Sequence, residues 1–230
     1  MDAYKKAAAD AALELVEAGM TLGIGTGTTA VHFIQGLGAK GLPDVTGVAT
    51  SEATRALAEA AGVRMIDPDE ATRIDLAVDG ADEIDGSLNL IKGGGGALLR
   101  EKIVARAAAR FVVIADSSKK VAQLGAFKLP LEIEPALFGL TITAVRGVLA
   151  DAGHGNAPLQ LRPREDGDGP QLSDGGGYLL DCDLRRIGDA ASLDAALRGI
   201  PGLVETGLFL GMTDSAIIAG PDGVETINAA

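Results

Sequence analysis

The run Lys92-Gly93-Gly94-Gly95-Gly96 leads into a helical segment that carries Arg100, Glu101 and Lys102 in its first turns. One stretch of chain thus combines a cation, a loop rich in backbone N–H groups and a carboxylate. Moving a proton beside a carbonyl needs a base for the carbon-bound proton, worth about 10²–10⁴-fold in rate. It also needs donors for the enediolate oxygen, worth about 10²–10³-fold. Glu101 fits the first role, and Lys92 with the amides of Gly93, Gly94, Gly95 and Gly96 fits the second. Without the glycines, Glu101 would read as an ordinary first-turn acid stabilised by the helix dipole. Four consecutive glycines make a poor linker inside a compact domain.

Three further segments hold groups of the same kind. Gly25-Thr26-Gly27-Thr28-Thr29 falls between a predicted strand and a predicted helix, where backbone N–H groups converge and the helix N-terminus favours an anion. The dinucleotide pattern G-x-G-x-x-G fails here because Thr28 stands where its third glycine belongs, so a phosphate or carboxylate loop is the better reading. Asp79, Asp82, Glu83 and Asp85 follow a buried-looking strand, at the sheet edge where open α/β folds bind ligands. On their own these acids leave a magnesium site, catalysis and a solvated loop all open. Asp116-Ser117-Ser118-Lys119-Lys120 also leaves a strand and presents two lysines, either to clamp an anion or to solubilise the surface.

These segments need a scaffold, and the hydrophobic pattern predicts one. Residues 4–18, 29–37, 51–62 and 97–110 read as helices, and 21–24, 45–50, 63–66, 74–78 and 111–115 as short apolar strands. That alternation predicts a parallel, helix-covered sheet. Past residue 125 the order becomes strand 128–133, helix 135–152, strands 159–162 and 178–183, helix 190–198 and strand 203–205. This is a ferredoxin-like β-α-β-β-α-β unit whose central hairpin spans the polar, glycine-rich residues 164–177. Strands at 208–211 and 215–219 then rejoin the first sheet. The expected organisation is a catalytic α/β domain of residues 1–126 plus 206–230, with a small α+β domain of 127–205 inserted.

Composition narrows the classes of function. The 230 residues carry 20 basic and 32 acidic side chains, a net charge of −12, which repels nucleic acid and anionic membranes. An anionic substrate would therefore need a local cluster of positive charge. Cys182 is the single cysteine and lies in an apolar run, so it reads as a buried core thiol. With only His32 and His154 present, a histidine-based metal centre or triad has little to work with. No apolar run approaches the roughly 20 residues that span a bilayer, and the cytoplasm is the expected location.

Taken together, GIGTGTTA at 23–30, DGADEID at 79–85, KGGGGALLREK at 92–102 and ADSSKK at 115–120 resemble the ribose-5-phosphate isomerase A family. The resemblance extends through TSEAT at 50–54, residues 130–135 and GLFLGMTDSAIIAG at 207–220, nearly the whole chain. It implies a Rossmann-like, mostly parallel sheet domain with an inserted smaller ferredoxin-like domain. It further implies interconversion of ribose 5-phosphate and ribulose 5-phosphate without metal or other cofactor. By position, Glu101 becomes the base moving the proton between C1 and C2, and Asp79 assists furanose opening. Asp82 and Lys92 surround the reacting oxygens, the glycine amides stabilise the enediolate, and Thr26, Gly27, Thr28, Thr29, Lys119 and Lys5 hold the phosphate. The chain departs from the family at Ser173-Asp174-Gly175 and at Thr206, where asparagines are usual.

The alternatives are a sugar-phosphate sensor without turnover, a nicotinamide-dependent dehydrogenase and an amino-sugar phosphate deaminase. A sensor has no need of Glu101, a dehydrogenase needs the complete dinucleotide loop, and the deaminase is not expected to pair DGADE with KGGGG. A homo-oligomer, dimer or tetramer, is expected from base rates.

Overall fold

In the computed structural model, which describes residues 1–164 and 166–229, the chain begins with α1 (Asp2–Leu13), β1 (Thr21–Ile24), α2 (Thr28–Lys40), β2 (Thr46–Ala49) and α3 (Glu52–Ala60). It continues through β3 (Arg64–Met65), β4 (Leu76–Asp79), β5 (Glu83–Ile84), β6 (Leu90–Ile91), α4 (Leu98–Ala107) and β7 (Phe111–Asp116). The rest comprises β8 (Leu129–Ile133), α5 (Phe138–Asp151), β9 (Leu159–Leu161), β10 (Tyr178–Cys182), α6 (Ala190–Arg198), β11 (Leu203–Thr206), β12 (Leu208–Phe209), β13 (Ser215–Gly220) and β14 (Gly223–Asn228). Position 165 of the expected hairpin and position 230 lie outside the described residues.

Two compact units result, one of residues 1–81, 100–120 and 211–230 and the other of 82–99 and 121–210. The first is a seven-stranded sheet in the order β14-β13-β7-β4-β1-β2-β3, parallel except for β14. Central β4 and β7 are buried along their whole length, as strands covered on both faces must be. Helix α1 packs its alanine face, Ala8, Ala9 and Ala12, against α2, β7 and β13. Edge strand β14 is largely exposed, and Lys120 pairs with its Glu225 at 2.7 Å, a charged edge that resists further pairing. Counting outward from β1, the strand order reverses between β1 and β4, the switch point at which such sheets bind ligands.

The second unit holds an antiparallel sheet ordered β11-β8-β10-β9. Numbered within this sheet the order is 4-1-3-2, the ferredoxin-like arrangement expected from the β-α-β-β-α-β order. Val145 and Leu149 of α5 and Leu193 and Leu197 of α6 join its core with Leu131, Leu180 and the thiol of Cys182. Helix α5 starts three residues later than the sequence suggests, because Leu137 adopts a left-handed conformation (φ 58°) at its N-cap.

Two expectations are corrected here. Residues 208–211 do not rejoin the first sheet: Leu208 and Phe209 pair antiparallel with Ile91 and Leu90, forming a three-stranded sheet β12-β6-β5. Gly207 fixes that course, since its N–H reaches the Pro130 carbonyl at 2.7 Å and its carbonyl accepts from the Lys92 N–H at 2.9 Å. Of the two expected strands only 215–219, as β13, returns to the large sheet, where β14 pairs with it. Residues 82–99 also lie within the second unit, where the β5–β6 hairpin adds to β12, so that unit begins well before residue 127.

Candidate active site

In the first unit, β1 ends at Ile24, the chain turns through Gly25 to Gly27, and α2 begins at Thr28. No side chain caps α2 and no acid sits in its first turn, so its leading N–H groups are of the kind that can receive an anion. Gly27, with φ 115°, makes the entry that a side chain would strain. Gly25 is required for a different reason: a Cβ there would collide with the carboxylate of Asp79.

Asp79 closes β4, is 3% exposed, and accepts from the Gly80 N–H at 2.7 Å and the Thr26 N–H at 3.1 Å. It therefore holds the anion loop in shape from the neighbouring strand. The Thr26 hydroxyl turns inward to Thr50 (2.8 Å), Ser51 (2.9 Å) and Thr54 (3.0 Å), while Thr54 also donates to the Gly25 carbonyl at 3.1 Å. This hydroxyl braces the loop instead of facing outward. The Thr28 hydroxyl meets Lys5 Nζ at 2.9 Å, which brings a cation of α1 to the loop. Adjacent Lys6 is turned to Asp10 at 2.6 Å.

Lys119 ends a short 3₁₀ turn after β7, the strand beside β4, and the carboxylate of Asp116 caps that turn by accepting from the Ser118 N–H at 3.0 Å. On α4, Val104 packs toward Gly23 of β1, which also lies against Ala77 of β4. One turn earlier on the same helix is Glu101, 4% exposed, with Lys102 beside it at 5%. Arg100 binds Glu52 at 2.7 Å, and that guanidinium holds the Glu52 carboxyl below the usual carboxylate range.

The remaining candidates belong to the second unit. Asp82 accepts from the Gly94 N–H at 2.8 Å, and a Cβ at Gly94 would come within 2.7 Å of its carboxylate. Lys92 is 2% exposed, with its ammonium 5.5 Å from the centroid of Phe209. Gly93 and Gly96 are buried with positive φ (106° and 83°), and Gly94 and Gly95 are exposed between them.

The acidic run is thereby sorted. Glu83, 3% exposed, accepts from the N–H groups of Gly125 (2.7 Å) and Phe127 (2.5 Å), so it braces a loop. Asp85 accepts from the N–H groups of Ser87 and Asn89 and turns the β5–β6 hairpin. Among the described residues no three His, Cys, Asp or Glu side chains group as metal ligands would.

Sequence reasoning did not find Thr50, Thr54 or Arg162 as supports of these loops. Thr50 and Thr54 lie in the TSEAT segment, whose density of hydroxyls next to the N-cap Ser51 is a usable signal. Arg162 touches the carbonyls of Gly93 and Gly94 across 68 or more residues of sequence, and no local pattern announces that.

The first unit's doubly wound sheet, with an uncapped helix N-terminus at its switch point and a buried carboxylate on α4, is the architecture of an α/β enzyme. Residues 46–223 match the family model for Ribose 5-phosphate isomerase A (phosphoriboisomerase A). Ribose-5-phosphate isomerase A of Rhodopseudomonas palustris (strain BisB18) is 51% identical over 228 residues, covering 98% of this chain and 97% of the relative. A solved D-ribose-5-phosphate isomerase in complex with phospho-erythronic acid superposes with a TM-score of 0.90 at 36% identity, covering 98% and 97% of the two chains. The ribose 5-phosphate isomerase from Plasmodium falciparum gives 0.90 at 34%, covering 99% of each. The chain belongs to the ribose 5-phosphate isomerase A family.

Proposed function

We propose that this protein interconverts D-ribose 5-phosphate and D-ribulose 5-phosphate, with Glu101 as the base. Starting from the open-chain aldose, Glu101 takes the proton from C2 and the C1 carbonyl oxygen becomes an enediolate oxygen; the C2 hydroxyl proton then passes to O1, and the same carboxyl returns its proton to C1 as O2 becomes the ketone. Lys92 and the Gly93–Gly96 amides stabilise the oxygen charge. Asp79 assists furanose opening and Asp82 orients the glycine loop toward the reacting oxygens. The α2 N-terminus, with Thr28, Thr29, Lys5 and Lys119, holds the phosphate and supplies the positive charge that a chain of net −12 otherwise lacks.

The observation that carries this reading is the burial of Glu101 on the turn of α4 preceding Val104, the residue packed toward the strand that feeds the anion loop. A carboxylate kept from water at such a point suits proton transfer. The reading extends to metal-independent turnover in the pentose phosphate pathway, in the cytoplasm, by a homo-oligomer. Its metal-free part is supported by the engagement of Asp79 and Asp82 with backbone N–H groups.

The test is to treat purified protein with a chelator, add ribose 5-phosphate and follow the ketopentose phosphate. Conversion is expected. Tight binding without conversion would point to a sensor, and activity restored only by a divalent ion would overturn the metal-free assignment.

A further inference from the structure

The guanidinium of Arg162, just beyond β9, grips the glycine loop from behind. Its side chain is 15% exposed, and Nε and Nη2 donate to the two carboxylate oxygens of Asp181 at 3.0 and 2.6 Å, a bidentate pair. Nη1 donates to the carbonyls of Gly93 and Gly94, 3.1 Å each. The backbone of Arg162 is itself fixed, its N–H bonded to the Leu179 carbonyl at 2.8 Å and its carbonyl to the Gln171 N–H at 2.7 Å. Arg162 is thus a rigid strut whose tip holds two consecutive peptide planes.

In a planar trans peptide the carbonyl and the following N–H point in opposite directions, so fixing one aims the other. The Gly93 carbonyl governs the Gly94 N–H, which is bonded to Asp82 at 2.8 Å. The Gly94 carbonyl governs the Gly95 N–H, which makes no hydrogen bond to the protein among the described residues and belongs to an exposed glycine. Four glycines are conformationally loose, and a loop left to itself would not hold a donor in one direction. The nearby positive charge also polarises both peptide groups and strengthens their N–H donors.

We propose that Arg162, held by Asp181, is a positioning residue that aims the Gly95 N–H as a donor to the enediolate oxygen. This rests on the reading of Gly93–Gly96 as the oxyanion loop. Arg162→Ala is expected to lower kcat by about 10–100-fold, the scale of a misaligned donor, while KM stays within about threefold. Phospho-erythronic acid, whose planar carboxylate has the shape of an enediolate, should bind more weakly by a similar factor. Millimolar guanidinium should restore part of the lost kcat, and Arg162→Lys should not restore it fully, because an ammonium cannot pair bidentately with Asp181 while bridging two carbonyls.

Should Arg162→Ala not fold, Asp181→Asn loosens the same strut and is expected to lower kcat in the same direction by a smaller factor. A folded Arg162→Ala, or Asp181→Asn in its stead, with unchanged kcat or with a loss confined to KM overturns the proposal. Lys92→Ala measured in parallel separates the two levels. A kcat loss there without one in Arg162→Ala leaves the loop reading standing and removes Arg162 from it, whereas no loss in either variant overturns both.

Discussion

Each unit contains a glycine-rich loop held by an aspartate, and the two are anchored by different means. In the first unit the Asp79 carboxylate binds the Thr26 and Gly80 N–H groups, behind a neutral cluster of Thr26, Thr50, Ser51 and Thr54 hydroxyls. In the second, Asp82 binds the Gly94 N–H and a guanidinium holds the carbonyls of Gly93 and Gly94. On the proposed assignment, a loop that binds the fixed dianion of a phosphate can rely on a helix end and neutral bracing. A loop that must meet charge developing during the reaction benefits from a cation polarising its peptides.

The sharpest way to break this contrast is to remove one lysine from each side. Lys92→Ala is expected to lower kcat by about 10²–10³-fold. Lys119→Ala is expected to leave kcat near its original value and raise KM by about 10–100-fold, the scale of one charge-assisted hydrogen bond. Steady-state kinetics on both variants would contradict the division if the two losses fell on the same parameter.

Glycine substitutions probe the anchors. Gly25→Ala drives a Cβ into Asp79, which is buried and tied by two N–H groups, and should cost toward the upper end of about 1–3 kcal/mol. Gly94→Ala meets only the outer end of the half-buried Asp82 side chain, which can change rotamer for about 0.5–1.5 kcal/mol. Urea denaturation should rank them in that order. Thr26→Val should cost about 0.5–1.5 kcal/mol with little change in KM, because the Ser51–Thr54 and Thr50–Ile24 hydrogen bonds survive it.

The smallest effect is expected at Cys182, where burial pushes the thiol well above its ordinary range of about 8.5. The folded protein then keeps a proton that the unfolded chain loses as pH rises past that value, so this group's contribution to stability is complete below it and declines above it. Alkylation of the native protein at pH 8 should be negligible and should become rapid only on unfolding.

Much of this was legible because local chemistry carried it. Alternating helical and apolar runs specified the parallel sheet, Ser51 marked a true N-cap, and the strand-to-loop transitions at Gly25, Asp79, Lys92 and Asp116 located the candidate residues. What escaped depended on contacts remote in sequence. The short strands Glu83–Ile84, Leu90–Ile91 and Leu208–Phe209 are too brief to show a period, and only their mutual pairing makes them strands. That Glu83 braces a loop other than the two glycine-rich ones follows from the N–H groups of Gly125 and Phe127, more than 40 residues away. Lys5 could not be chosen over Lys6 until α1 acquired a register that turned Lys5 to Thr28.

The central claim is that Glu101 moves the proton between C2 and C1, and the most direct measurement is proton NMR of ribose 5-phosphate incubated in deuterium oxide with chelator-treated wild type and with Glu101→Gln. The wild type should form ribulose 5-phosphate, with solvent deuterium entering at C1 to the extent that the proton on Glu101 exchanges before it is returned. The folded glutamine variant should lose both conversion and exchange by about 10²–10⁴-fold. Conversion or exchange near the wild-type rate in Glu101→Gln would contradict the assignment of the base.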